Sequence, residues 1–145
     1  NAGWLTAASA LARTENISAP HLIYPPECVF SIDKFIEDIK NVKANNVVVV
    51  LSEGIKGEDG RYICESASSG ATDMFGHTML SGAGKILEGI VRERLDVKVR
   101  SVELNTCQRS AAHIRSDFDI THSVKIGKSG AEAAVNGKTG VMMYF

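Results

Sequence analysis

"NNVVVVLSEG", residues 45–54, runs four valines together, adds a leucine, and then turns polar. A β-branched run without polar alternation suits a strand buried on both faces, the habit of parallel sheets. The strand is expected over 47–51, with Ser52-Glu53-Gly54 leaving its carboxyl end. Parallel strands need long crossovers, usually helical. "SIDKFIEDIKNVKA", 31–44, supplies one: Ser31 can cap it, and Ile32, Phe35, Ile36, Ile39 and Val42 share a face. Upstream, "HLIYPPE" reads as a short strand stopped by Pro25 and Pro26, which cannot continue a ladder.

Farther out, residues 2–13 place Trp4, Leu5, Ala8 and Leu11 or Ala12 at helical spacing. Residues 55–74 are rich in Gly, Ser and Asp and read as a long loop holding a short hairpin. A helix is expected over about 77–95, with Leu80, Ile86, Leu87, Ile90 and Val91 inward. "VKVRSVEL", 97–104, alternates like a strand. A helix should begin near Ser110, another follows over 121–136, and "VMMYF" closes as a strand. This alternation predicts an α/β fold, a three-layer sandwich whose mostly parallel sheet is flanked by helices.

The chain has 145 residues, 44% hydrophobic and 23% charged, ordinary for one globular domain. A net charge of −1 argues against a nucleic-acid surface. No apolar run approaches the roughly 20 residues that cross a bilayer. Cys28, Cys64 and Cys107 form an odd set without a CxxC pair, which fits a reduced, cytoplasmic setting. His21, His77, His113 and His122 lack metal-ligand spacing, so no metal site is expected within this chain. The chain opens on Asn1 without Met and closes on an apolar run, and reads as a piece of something longer.

Three residues carry the candidate chemistry. Glu53 follows the central strand, and in open α/β sheets ligands bind beyond the carboxyl ends of strands. Its carboxylate could accept bonds from substrate hydroxyls, or cap a helix, or simply face water. Arg109 is expected at the end of the next strand, just before a helix, where free N–H groups and a guanidinium together suit a phosphate. An ion pair with Asp117 or Asp119 is the other reading. Together Glu53 and Arg109 suggest a phosphorylated polyol. Arg100 lies nine residues before Arg109, about 30 Å away if that run stays extended, too far for both to grip one small anion. "SGAGK", 81–85, invites a P-loop reading, but the pattern needs Gly at 79 and Ser or Thr at 86, where this chain has Met79 and Ile86. His113 is read as a packed or capping histidine.

"NAGWLTAASALA", "VVVVLSEGIKG", "FGHTMLSGAGK" and "KVRSVELNTCQRSAAH", in this order, resemble the phosphofructokinase family. The last stretch is most similar to its pyrophosphate-dependent members. The resemblance implies phosphoryl transfer to the 1-hydroxyl of fructose 6-phosphate with Mg2+. It assigns the sugar hydroxyls to Glu53, the 6-phosphate to Arg109, and Arg100 to the sugar phosphate of a neighbouring subunit in a homo-oligomer. Such sharing would let two distant cations converge on one phosphate across an isologous interface. Thr106 stands where many members have His or Tyr, leaving a hydroxyl as the phosphate donor there. The catalytic aspartate, the glycine-rich donor loop and the residue that best separates ATP from pyrophosphate would lie in absent N-terminal segments. Residues 1–145 would form one α/β piece, with about 121–145 belonging to the other domain of the complete enzyme. An ATP-dependent enzyme and a non-catalytic regulatory subunit are the alternatives.

Overall fold

The computed structural model describes residues 3–66 and 82–144, which divide into two compact units, Asn1–Glu103 and Leu104–Phe145. In the first unit, β1 (Leu22–Tyr24) and β2 (Val49–Leu51) form a parallel pair in the register Leu22–Val49, Ile23–Val50 and Tyr24–Leu51. The crossover is α2 (Ile32–Asn41). This is the parallel α/β arrangement that the valine run predicts.

The strand is less buried than that run suggests. Val49 and Leu51 pack on the core, whereas Val48, just ahead of β2, is 45% exposed. Successive side chains point to opposite faces, and among the described residues only the face of Tyr24, Val49 and Leu51 meets the core cluster.

That core gathers Phe30, Phe35, Ile36, Ile55, Leu87 and Val91. Tyr24, Phe30 and Phe35 meet ring to ring, two of the pairs edge-on, with centroids 5.2–5.5 Å apart. The Tyr24 hydroxyl donates to Asp38 at 2.8 Å, which ties β1 to α2, and burial beside that carboxylate holds the phenol protonated. Ser31 occupies the α2 N-cap with extended backbone, but its side chain makes no capping bond there.

α3 (Ala83–Leu95) buries Ala83, Leu87 and Val91, and an Arg94–Asp33 ion pair joins it to α2. Its first turn comes later than the apolar pattern implies, because Gly82 takes φ 92 as N-cap. Residues 77–81 and the inward position given to Leu80 lie outside the described residues. The expected hairpin is present: Lys56 bridges Tyr62 antiparallel around Gly60, whose φ is 76. At the start of the chain, α1 (Trp4–Ala8) continues as a 3-10 turn over Ser9–Ala12. Thr6 is its buried residue, while Trp4 and Leu11 stand exposed, contrary to the inward face read from the spacing.

Neither of the two remaining expected strands is formed among the described residues. Residues 97–104 and 141–144 have no ladder partner among the described residues. In the second unit, α4 (Asn105–Arg109) and a 3-10 turn at Ala112–Ile114 replace the helix expected from Ser110. α5 (Asp117–Val135) starts earlier than position 121, because Ser116 caps it by accepting from the Asp119 amide at 3.0 Å.

Candidate functional site

Glu53 is placed by the exit from β2. The Ser52 amide donates to the Tyr24 carbonyl at 3.1 Å, and the Ser52 hydroxyl accepts from the Gly54 amide at 3.2 Å. Ile55, fully buried, then pins the turn into the core. The half-buried Glu53 carboxylate accepts from the Ala83 amide at 3.4 Å, the first residue of α3. The helix-capping reading is therefore realised. It coexists with substrate binding, since a carboxylate has room for about four hydrogen bonds. Burial pushes the Glu53 carboxyl up from its ordinary value, the Ala83 amide partly offsets this, and Glu103 adds to it.

This geometry also disposes of "SGAGK" as a phosphate loop. α3 begins inside that stretch, at Ala83, and its first amide donates to a carboxylate where a P-loop would hold a phosphate of the same sign.

Arg100 lies on the segment after α3 and is exposed. Its neighbours alternate as an extended chain would: Val99 packs on the core, Ser101 is half-buried, and Val102 is 82% exposed. No hydrogen bond or ion pair engages the Arg100 guanidinium among the described residues. Beside it, the Ser101 amide and hydroxyl both donate to Glu88 Oε2, at 2.9 and 2.6 Å. Glu88 also accepts from Lys85 at 3.0 Å and Arg92 at 2.7 Å. The Ser101 bonds first, then Lys85, hold its carboxyl down at about 2. Sequence reasoning passed over Glu88. The signal available was its i,i+3 and i,i+4 spacing between two cations.

Thr106 and Arg109 belong to the second unit. Thr106 is exposed on α4, and Arg109 is the last residue of that helix. Two expectations are corrected here. The run from Arg100 to Arg109 does not stay extended, because Asn105 takes φ 37 and the chain becomes helical, so the 30 Å separation no longer follows. Nor does Arg109 precede a helix N-terminus. It closes a five-residue helix, and the next turn, a 3-10 turn, begins at Ala112. The side-chain roles given to Arg109, phosphate or an ion pair with Asp117 or Asp119, lie outside the described side chains. His113 is exposed in the 3-10 turn.

Comparison with known proteins gives this arrangement its relatives. The chain is 37% identical over 144 residues to a pyrophosphate--fructose 6-phosphate 1-phosphotransferase of Methylococcus capsulatus, covering 98% of this chain and 34% of that protein. An ATP-dependent 6-phosphofructokinase 3 of Streptomyces coelicolor is 27% identical over 143 residues, covering 97% of this chain and 39% of that protein. The crystal structure of a pyrophosphate-dependent phosphofructokinase from Marinobacter aquaeolei superposes with a TM-score of 0.66 at 29% identity, over 97% of this chain and 31% of that one. The chain thus spans about a third of the length of the curated relatives it matches. The phosphofructokinase profile matches residues 1–134, and the chain belongs to that family.

Proposed function

We propose that this chain is the sugar-phosphate-binding part of a 6-phosphofructokinase that transfers a phosphoryl group from pyrophosphate to the 1-hydroxyl of fructose 6-phosphate. The observation that carries the reading is the likeness to a pyrophosphate-using relative over nearly the whole chain, ten percentage points above the ATP-using one (37% against 27%). Glu53 would accept from the sugar hydroxyls at the carboxyl end of β2. Arg109 would bind the 6-phosphate of its own site, with Thr106 as a further hydroxyl donor. Arg100 would reach the sugar phosphate of a neighbouring copy in a homo-oligomer. Its exposure without a partner among the described residues supports that role.

Phosphoryl transfer depends on positioning and charge stabilisation, and this part of the enzyme would position the acceptor. The complete enzyme would use Mg2+. Among the described residues no group of three or more His, Cys, Asp or Glu is placed to hold a metal ion. A cytoplasmic setting agrees with three cysteines that form no disulfide. No described helix is long and apolar enough to cross a membrane.

Steady-state assay of the full-length enzyme with fructose 6-phosphate and each donor tests the proposal. Turnover with pyrophosphate and little with ATP is expected. Turnover with ATP alone would establish the ATP-dependent alternative, and sugar binding without turnover by either donor would establish a non-catalytic subunit.

A further inference from the structure

We infer that Glu88 is a positioning residue for Arg100, clamping the backbone at Ser101 against α3 so that the guanidinium is presented outward to a sugar phosphate. The inference rests on the sugar-phosphate role proposed for Arg100.

Residues 97–104 have no ladder partner among the described residues, yet the Ser101 amide needs an acceptor once it is half-buried. Glu88 does what a neighbouring strand would do, and takes the Ser101 hydroxyl on the same oxygen. One turn earlier, Gly84 lets the segment lie close. A Cβ added there would sit 3.3 Å from the Ser101 Cβ. Glycine at 84 and glutamate at 88 thus form a two-point dock on one face of the helix.

The ordinary reading of Glu88 is a member of a solvated Lys85–Glu88–Arg92 ladder, which would contribute little. Its exposure argues otherwise: the Glu88 side chain is 12% exposed, against 68% for Lys85 and 62% for Arg92. The two cations stand in water and the carboxylate between them turns inward to the segment. With Val99 packed against the core and Ser101 on Glu88, alternation sends Arg100 outward. Fixing the backbone on both sides of an arginine removes orientations that cannot reach the phosphate, and that raises apparent affinity by raising the competent fraction.

The test uses the full-length enzyme and reads the KM for fructose 6-phosphate, kcat and the donor KM. Glu88→Ala is expected to raise the sugar-phosphate KM about fivefold to tenfold, the scale of one or two lost hydrogen bonds, with kcat and donor KM within about twofold of wild type. Glu88→Gln keeps an acceptor and should restore most of the KM. In an Arg100→Ala background, Glu88→Ala should add nothing further. If Glu88→Ala fails to fold, Ser101→Ala removes only the hydroxyl bond and should give about twofold to threefold, again absent beside Arg100→Ala. Additive effects of Glu88 and Arg100, or no Glu88 effect where Arg100→Ala does raise the KM, overturn the inference. An unchanged KM in Arg100→Ala alone would instead remove the sugar-phosphate role of Arg100, and the inference with it.

Discussion

Replacing Glu53 by glutamine should move stability and sugar affinity in opposite directions. Burial raises the Glu53 carboxyl above its unfolded value, so the charged form is the one the fold disfavours. Its contribution to stability is fully present below the unfolded pKa of about 4.3 and declines as pH rises through the folded value. Glutamine at 53 carries no charge to bury, and its amide oxygen can still accept from the Ala83 N–H. At pH 7 Glu53→Gln should therefore match or exceed wild-type stability, with the difference vanishing below pH 4. Sugar binding should weaken. A hydrogen bond to a charged acceptor contributes about 1.5–3 kcal/mol and a neutral one about 0.5–1.5, so one such bond lost to neutralisation costs about 1–1.5 kcal/mol, or roughly tenfold. Urea melts at pH 7 and pH 4, with calorimetric titration of fructose 6-phosphate and of the donor, supply the assay. A variant less stable at pH 7 with unchanged sugar affinity would mean that Glu53 only caps α3. A shifted donor constant with the sugar constant intact would place it in another role.

Mixed oligomers of Arg100→Ala and Arg109→Ala should regain activity, up to about half that of a wild-type pair, because one site in each pair would lack neither arginine; no recovery after demonstrated subunit exchange would refute the shared site. Gly89→Ala should stabilise the protein by up to about 1 kcal/mol, since a Cβ there meets nothing within 4 Å among the described residues. Gly84→Ala should not, and should raise the sugar-phosphate KM; equal gains in thermal melting would show that the close approach to Ser101 is immaterial. The 145-residue chain alone should show no phosphotransferase activity with either donor, a prediction that detectable magnesium-dependent turnover would end.

The valine run and the α2 periodicity were enough to read the parallel α/β arrangement, because each records a requirement local to its own segment. The 97–104 segment was harder. Its alternation of Val99 and Ser101 inward with Arg100 and Val102 outward is real, but a strand also needs a partner, and pairing is not written in the segment itself. The placement of Arg109 failed for a legible reason: Asn tolerates positive φ, and Asn105 turns the chain into a helix before the arginine is reached. Glu53 could be placed at a strand's carboxyl end from its position alone. That it also caps α3, thirty residues on, depends on tertiary packing, which no local pattern records.

Ile55, fully excluded from solvent, stands two residues beyond Glu53. The turn between them is packed as well, since a Cβ at Gly54 would be in van der Waals contact with the Pro26 Cβ at 3.4 Å. A carboxylate so tethered has no private route to disorder, because freeing it means withdrawing the plug from the core. Loops that carry function are often the first to open in a native protein, well below the free energy of global unfolding. Here sugar-binding competence and the cooperative melting of residues around the core should be lost at the same temperature, and hydrogen exchange at Ser52 and Ile55, whose amides are bonded to Tyr24 and Ser52, should track the slowest class of amides.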